Sequence, residues 1–280
     1  MIQGFETREL TDQVIRPFIK SARGILHTKL KSVEQYEQTT WPTFNSNELT
    51  KHPIVVFGIL RGTGELIKEC QQINHTYYHF DHAYYFKEQK HGKNSIFNER
   101  IYRLTKNGMM LTYIDKLNDT DKQRLVKFKK HIQIKPWTKK GDYILVLPPS
   151  EHVNLWYDFT NWERDIINKL KQYTQREIRV RKKDSKTPFM EELKNAWAVV
   201  TSQSTAAVDA IINGVPSFCD NMSFAVPVSY TDLSLIETPM YSDRREDWID
   251  SLLSNQYTMS EIENGFAWNR LKNKLILFIL

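Results

Sequence analysis

Short apolar runs alternate along the chain with segments whose apolar residues recur at helical spacing. Residues 54–60 and 143–147 are apolar runs typical of strands buried on both faces of a sheet. In segment 156–173, Trp162, Ile166 and Leu170 share one helical face. Strands are predicted at 54–60, 75–80, 101–105, 143–147, 178–180, 198–201 and 215–218, and helices at 65–72, 120–132, 156–173, 190–197 and 204–213. This alternation predicts an α/β fold with parallel strands and helices on both faces of the sheet.

A break in this pattern divides the chain. The sequence Pro-Trp-Thr-Lys-Lys-Gly at 136–141 interrupts the periodicity, and clearer strand and helix signals restart after it. We therefore expect a first lobe at 1–138 and a second lobe at 139–244. Helical patterns at 245–280 are expected to pack back across the lobes.

Composition places the chain among globular proteins. Hydrophobic residues make up 40% and aromatic residues 12% of the 280 residues, which excludes a disordered chain. The longest apolar run, 275–280, is too short to span a bilayer, and no secretory signal is visible. Cys70 and Cys219 read as buried thiols of a reducing interior, so we expect a cytoplasmic protein without a membrane span. The net charge of +6 weakly favours an anionic substrate or a polyanionic partner.

The strongest local signal is a hydroxyl-rich loop between a predicted strand and a predicted helix. The loop contains Ser202, Ser204 and Thr205 and leads into a helix that ends at Gly214. Free backbone N–H groups at a helix start, assisted by hydroxyls, can bind phosphate. Asp209, one turn further along, can then accept hydrogen bonds from ribose hydroxyls. The alternative is that these hydroxyls only cap the helix.

Segment 198–216 resembles the donor-binding signature of GT-B glycosyltransferases, particularly those of the Kdo-transferase and capsule-polysaccharide type. The shared pattern is a strand, Thr, any residue, Ser, Ser or Thr, a small residue, an acid, Ala, and Gly-x-Pro. Asp209 stands where that family commonly has Glu. The resemblance implies two Rossmann-like lobes of GT-B type with parallel sheets and a cleft between them. It also implies a nucleotide-sugar donor, expected to be UDP-linked, with no cofactor and no dedicated metal site.

The preceding strand also resembles the family, in which a strand ends in a basic residue beside the donor phosphates. Here the sequence is Ile-Arg-Val-Arg-Lys-Lys at 178–183, and the family's usual Pro-His sequel is absent. Its candidate phosphate ligands are Arg179, Arg181 and Lys182. The alternative is a solvated run of charge.

A glycine-rich turn in the first lobe supplies a further candidate. Gly58, Gly62 and Gly64 surround Arg61 between a strand and a helix, so backbone can approach a ligand closely. The motif is neither a P-loop nor a dinucleotide fingerprint. We expect Arg61 and Gly62 to face the donor across the cleft, and tight turn packing is the alternative.

A strand end rich in aromatic residues carries the candidate catalytic groups. Asp81 is the expected general base that takes a proton from the acceptor hydroxyl, with His82 as second choice. Tyr84 and Tyr85 are expected to stack on the acceptor, and Arg103 to join the same site. The alternative is an Asp that caps the following turn. Although His75, His79 and Asp81 share a strand face, no second cluster completes a ligand set, so no metal site is predicted.

These features together predict a glycosyltransferase that moves a sugar from a nucleotide sugar to a hydroxyl. The short chain, its basic surface and a resemblance to bacteriophage enzymes that glycosylate DNA favour a hydroxymethylated pyrimidine in phage DNA as acceptor. Double-stranded DNA would then be a partner through the basic stretch 122–140, in the host cytoplasm. One alternative is a capsule or lipopolysaccharide glycosyltransferase, and a second is a non-catalytic nucleic-acid-binding protein with an α/β core. Asp119-Thr-Asp121 is expected to cap a helix rather than bind a metal-diphosphate.

Overall fold

The computed structural model describes residues 1–7, 9–27, 51–60, 62–86 and 96–272. The chain forms two compact units: unit 1 comprises Met1–Met109 with Asn255–Leu280, and unit 2 comprises Met110–Ser254. The lobe boundaries predicted from the sequence were at residues 138 and 244. Segment 110–138 groups with unit 2 because its helix packs against the helix at 245–254, and because Lys135 N–H donates to the carbonyl oxygen of Ile212 (2.9 Å).

Strands and helices alternate through most of both units. The first stretch of unit 1 contains β1 (Gln3–Phe5), α1 (Glu9–Ser21), β2 (Ile25–His27), β3 (Ile54–Phe57), α2 (Thr63–Gln72), β4 (Tyr77–His82) and β5 (Ile101–Lys106). Unit 2 contains α3 (Asp119–Lys129), β6 (Tyr143–Leu147), α4 (Glu151–Tyr157), α5 (Trp162–Leu170), β7 (Glu177–Val180), α6 (Phe189–Leu193), β8 (Ala196–Thr201), α7 (Ala206–Ile212), β9 (Ser217–Phe218) and α8 (Arg245–Ser254). The chain returns to unit 1 with β10 (Gln256–Thr258), α9 (Met259–Glu263) and α10 (Phe266–Lys272).

The sheet of unit 1 has six strands in the order β10-β5-β4-β3-β1-β2. The strands from β2 to β4 are parallel, as predicted, whereas β5 and β10 run antiparallel to their neighbours. Val55, Phe80 and Leu104 point to one face and pack with Phe18 of α1. The opposite face packs against α2, where Ile67 is fully buried. Burial on both faces accounts for the continuous apolar run that predicted β3.

The sheet of unit 2 is parallel throughout, with the order β7-β6-β8-β9. All five residues of the central strand β6 are buried, whereas the edge strand β7 is largely exposed. Alternate residues of β6 and β8 contribute to the two faces, one packed on α5 and the other on α7. The carboxyl ends of all four strands therefore lie along one edge of this sheet.

The structure differs from the predicted elements in several places. The predicted helix 156–173 covers the last two residues of α4 and all of α5, because Asp158 adopts a left-handed conformation (φ 56°) that ends α4. The predicted helix 190–197 ends at Leu193, and β8 begins at Ala196. The short strands β1, β2 and β10 were not predicted, since three residues carry too little periodicity to be recognised. Among the described helices, none has the length and apolar character that crossing a membrane requires.

Candidate functional site

The first candidate site lies at the carboxyl edge of the sheet of unit 2. From β6 the chain moves outward to β7 and then returns past β6 to β8, so the strand order reverses between β6 and β8. Open α/β sheets bind ligands outside the carboxyl ends of the strands at such a reversal. The loops that follow β6 and β8, residues 148–150 and 202–205, flank this point. The predicted donor residues Ser202, Ser204 and Thr205 are thus brought to the position where ligand binding is expected.

These three hydroxyls have different environments. Ser202 is fully buried, and its hydroxyl is close enough to the Asp220 carboxyl to lower the pKa of that group. Ser204 Oγ accepts a hydrogen bond from the backbone N–H of Ala206 (3.2 Å), so it caps the first turn of α7. Thr205 makes no side-chain capping bond, and Asp209 lies half-buried one turn into the helix. Capping therefore accounts for Ser204 but not for Ser202.

The structure does not bring Arg179 to this edge. Its guanidinium lies 3.8 Å from the centre of the Tyr143 ring and pairs with Glu177 (2.7 Å). Tyr143 is the first residue of β6 and the register partner of Glu177, so the Arg179 side chain extends toward the amino end of the sheet. The contact with the Tyr143 ring thus directs the Arg179 side chain away from the carboxyl edge.

Arg181 and Lys182 follow β7 at the carboxyl edge. Arg181 forms an ion pair with Glu192 and also donates to the carbonyl oxygen of Thr187 (2.7 Å), so the chain itself satisfies its guanidinium. Lys182 is exposed and makes no ion pair with any residue in the described ranges. Lys182 is therefore the better candidate of the two for a donor phosphate.

A buried polar cluster at the same edge was not predicted. Asp220, two residues after the end of β9, donates its backbone N–H to the carbonyl oxygen of Ser202 (3.3 Å). Burial raises the pKa of the Asp220 carboxyl above its usual range, and the Ser202 hydroxyl and Trp162 indole partly offset this. Within the described ranges, Asp220 Oδ2, Trp162 Nε1 and Gln203 Nε2 are shielded from solvent. Asp220 lies two residues after the predicted strand 215–218, so a search for acids near strand ends would have found it in the sequence.

The second candidate site lies in unit 1 around Asp81. Asp81 and Arg103 face each other across β4 and β5 and form an ion pair in which Arg103 is almost fully buried and the Asp81 side chain is 27% exposed. Burial acts to raise the pKa of Asp81, but Arg103, His79 and His82 outweigh it and hold that pKa below its usual range. The carboxylate is therefore ionised at neutral pH, and Arg103 is brought to it as predicted.

The space beside Asp81 is open. Phe57 pairs with Phe80, so Gly58 lies next to Asp81 at the carboxyl ends of β3 and β4. Gly58 has a positive φ of 61°, and no atom of the described residues lies within 4 Å of a Cβ built there. A ligand can thus approach the backbone at this point.

The remaining predicted residues of unit 1 are placed differently. His82 is exposed, with its ring 5.6 Å from that of Phe57, and its N–H donates to Asp81 Oδ1 (2.7 Å). Tyr84 is fully buried and lies against the Arg103 guanidinium (5.1 Å), which leaves its ring no exposed face for an acceptor. Tyr85 is half-buried and contacts Phe86.

Gly62 precedes α2 in a left-handed conformation (φ 85°), which accounts for a glycine at this turn. Thr63 closes the turn by donating to the carbonyl oxygens of Leu60 (2.8 Å) and Gly58 (3.0 Å). Arg61 lies outside the described residues, so its predicted contact with an anion stays a prediction.

The basic stretch 122–140 is partly neutralised by unit 2 itself. Lys129 pairs with Asp250 (2.9 Å), and Lys139 lies over the ring of Tyr241 (5.3 Å). The capping prediction for its start is confirmed: Asn118 and Asp121 form a reciprocal capping box at α3. No group of three or more His, Cys, Asp or Glu within the described ranges is arranged to hold a metal.

Comparison with solved structures identifies the fold. The chain is similar to the beta Kdo 2,7 transferase of Thermosulfurimonas dismutans KpsC, with a TM-score of 0.52 and 13% identity over 97% of this chain and 99% of that one. It is also similar to the beta Kdo 2,4 transferase of the same KpsC, with a TM-score of 0.51 and 9% identity over 95% and 98% of the two chains. No protein-family model and no curated sequence matches the chain. The fold is that of the GT-B glycosyltransferases, as the sequence resemblance implied.

Proposed function

We propose that this protein is a glycosyltransferase that binds a nucleotide sugar at the carboxyl edge of unit 2 and uses Asp81 of unit 1 in sugar transfer. One observation carries the proposal: on a GT-B fold, solvent-shielded polar side-chain atoms gather where parallel sheets bind ligands. Ser202, Gln203 and Asp220 do so in unit 2, and His79 lies beside Asp81 in unit 1. Such groups are costly in a folded core, so their concentration supports a ligand role.

The proposed donor is a nucleotide sugar, with uridine as the expected base and no further cofactor. Lys182 and the start of α7 are suited to its phosphates, because the lysine is exposed and the loop 202–205 offers N–H groups and the partly exposed Thr205 hydroxyl. Basic side chains and amide dipoles can stabilise a departing diphosphate without a metal ion.

Asp81 is the proposed general base. As the acceptor oxygen forms its bond to the anomeric carbon, the bond from that carbon to the diphosphate breaks and the hydroxyl proton passes to Asp81. Arg103 favours the ionised carboxylate that this step requires. The open space at Gly58 gives a hydroxyl access to it.

We propose a glycan hydroxyl of capsule or lipopolysaccharide type as the acceptor. The two similar structures bear the names of a beta Kdo 2,7 transferase and a beta Kdo 2,4 transferase, and these names support a glycan acceptor over a DNA base. The internal pairing of Lys129 also lowers the positive charge that DNA phosphates would meet on α3. The hydroxymethylated pyrimidine of DNA stays a prediction that a direct assay can decide.

Nucleotide binding is the first test. Thermal-shift screening against UDP, GDP and CMP should raise the melting temperature with at least one nucleotide, by an amount that grows with ligand concentration. Absence of any shift would favour a non-catalytic binding protein. Incubation with hydroxymethylated DNA or with capsule-type oligosaccharides, followed by mass spectrometry, then distinguishes the acceptors. Gel shifts on duplex DNA across a salt series show whether DNA binds at all.

Asp81→Asn tests the catalytic assignment. Loss of the base should lower kcat by roughly 100-fold or more while nucleotide affinity stays within about twofold. His82→Gln is the matched control, since it changes the neighbouring imidazole and leaves the carboxylate in place. Unchanged turnover in Asp81→Asn, or the larger loss in His82→Gln, would refute the assignment.

A further inference from the structure

Three polar residues form a row across strands β4, β5 and β10 of unit 1. Arg103 of β5 is the register partner of Asp81 on one side and of Gln256 on the other. Because directly paired residues of neighbouring strands point to the same face of a sheet, the three side chains lie side by side. Gln256 is fully buried and Arg103 is almost so, whereas Asp81 is partly exposed. The row therefore leads from the proposed base into the interior of unit 1.

The ion pair with Asp81 holds only one part of the Arg103 guanidinium. Arg103 Nη2 donates to Asp81 Oδ2, whereas Arg103 Nε is shielded from solvent and has no hydrogen-bond partner among the described residues. An arginine bound to a carboxylate through two parallel N–H groups is fixed in orientation, but a single such contact lets the guanidinium plane turn. A second contact is therefore required to hold this guanidinium in one orientation.

Tyr84 supplies that second contact. Its ring is fully buried, and Cζ of Arg103 lies 5.1 Å from the ring centre. A cation over an aromatic face is attracted to the ring, and more strongly where water is excluded. The turn that carries Tyr84 is itself tied to the row, because Tyr85 N–H donates to Gln256 Oε1 (3.3 Å). Gln256 thus joins the backbone beside Tyr84 to the strand next to Arg103.

We propose that Tyr84 and Gln256 are positioning residues that hold Arg103 against Asp81 and so keep the proposed base in place. The inference rests on the proposed function, in which Asp81 takes the proton of the acceptor hydroxyl. It gives Tyr84 a role different from the acceptor stacking expected from the sequence. It also gives a role to Gln256, which the sequence analysis did not select.

The experiment compares the pH dependence of kcat/KM among variants of the full chain. Burial acts to raise the pKa of Asp81 and Arg103 is the largest influence that lowers it, so displacement of Arg103 should move the acid limb to higher pH. On that limb, Tyr84→Leu should lower kcat/KM by about 3-fold to 10-fold, with a smaller loss on the plateau. Gln256→Met removes the amide but keeps a side chain of similar length, and should move the limb in the same direction by less. Tyr84→Phe keeps the ring and should leave the limb in place.

Tyr77→Leu is the matched control for loss of a buried tyrosine. Tyr77 is the first residue of β4 and packs against α2, at the opposite end of the strand from Asp81. This variant shows what general destabilisation of unit 1 does to the pH profile. An equal movement of the limb in Tyr77→Leu would overturn the inference, and so would an unmoved limb in both Tyr84→Leu and Gln256→Met. Neither result would touch the test of the base by Asp81→Asn.

Crystal structures of the variants separate this inference from the proposed function. Arg103 should stay beside Asp81 in Tyr84→Phe and should leave it in Tyr84→Leu. The same position of Arg103 in both variants would overturn the inference. If the unaltered protein transfers no sugar, the proposed function fails, and these structures alone decide whether Tyr84 holds Arg103.

Discussion

Replacement of His79 by leucine tests whether a buried neutral imidazole makes unit 1 sensitive to acid. His79 is 1% exposed in the central strand β4, between Val56 of β3 and Thr105 of β5. Burial, with a contribution from Arg103, lowers the pKa of His79 to about 4, although Asp81 acts in the opposite direction. The native imidazole therefore stays neutral well below neutral pH.

The sign and size of the effect follow from proton linkage. In the unfolded chain the imidazole takes up a proton near its ordinary pKa of 6.5, whereas in the native protein it does so near 4. The unfolded state thus binds more protons between these values, so stability is lost as the pH falls from 6.5 toward 4. Between pH 7 and pH 5 the loss attributable to His79 is about 2 kcal/mol, a factor of about 20 to 30 in the unfolding equilibrium.

Amide hydrogen exchange measures this in unit 1 alone. Exchange in peptides covering β4 and β5, corrected for the intrinsic pH dependence, should show the 20-fold to 30-fold loss of protection at pH 5 in the unaltered protein. In His79→Leu most of that loss should be absent, since leucine does not titrate. Other carboxylates affect both proteins alike, so their contribution cancels in the comparison. An equal pH dependence in the two proteins would show that His79 is not the group responsible.

Two further predictions concern the ion pair of unit 1 and a tight turn of unit 2. Arg103→Met should raise the pKa of Asp81, because Arg103 is the strongest influence that lowers it, and the acid limb of a kcat/KM profile should move to higher pH; an unmoved limb would contradict the assigned cause. Gly214→Ala should destabilise unit 2 by more than Gly265→Ala destabilises unit 1, as measured by hydrogen exchange in each unit. Both glycines have φ near +80° and share a conformational cost of about 1–2 kcal/mol, but a Cβ at Gly214 would also clash with a backbone carbonyl oxygen. Equal losses would show that the backbone relaxes around the added methyl group.

Much of the fold could be predicted from local patterns in the sequence. The strand at 143–147 has the predicted bounds, because a run buried on both faces is continuous and apolar and is bounded by polar residues. The helix at α3 begins where the Asn and Asp residues predicted a cap, since capping depends on neighbours three residues apart. The helix predicted at 156–173 ran across a break, because the left-handed conformation of Asp158 between α4 and α5 is a property of the turn, which apolar spacing does not reveal.

The candidate sites divide in the same way. Asp81 and Ser202 could be selected from sequence because each follows a predicted strand, and the carboxyl ends of parallel strands are where ligands bind. The directions of the Arg179 and Arg181 side chains could not be predicted from the sequence. Arg179 contacts Tyr143, 36 residues away along the chain, and Arg181 pairs with Glu192, 11 residues away. The partnership of Arg103 with Asp81 likewise required the antiparallel register of β4 and β5.

Sequence alone determined the α/β class, the hydroxyl-rich loop before α7 and the acid at the end of β4, because each depends on residues close together in the chain. Tertiary structure alone decided that β10 joins β5, that Ser202 meets Asp220 and Trp162, and which arginines are already paired. Those contacts join residues far apart in sequence, and the order of the strands brings them together. Strand order depends on how much apolar surface the whole sheet buries on its two faces. This total depends on all strands and helices of the unit, so it cannot be read from one short segment of sequence.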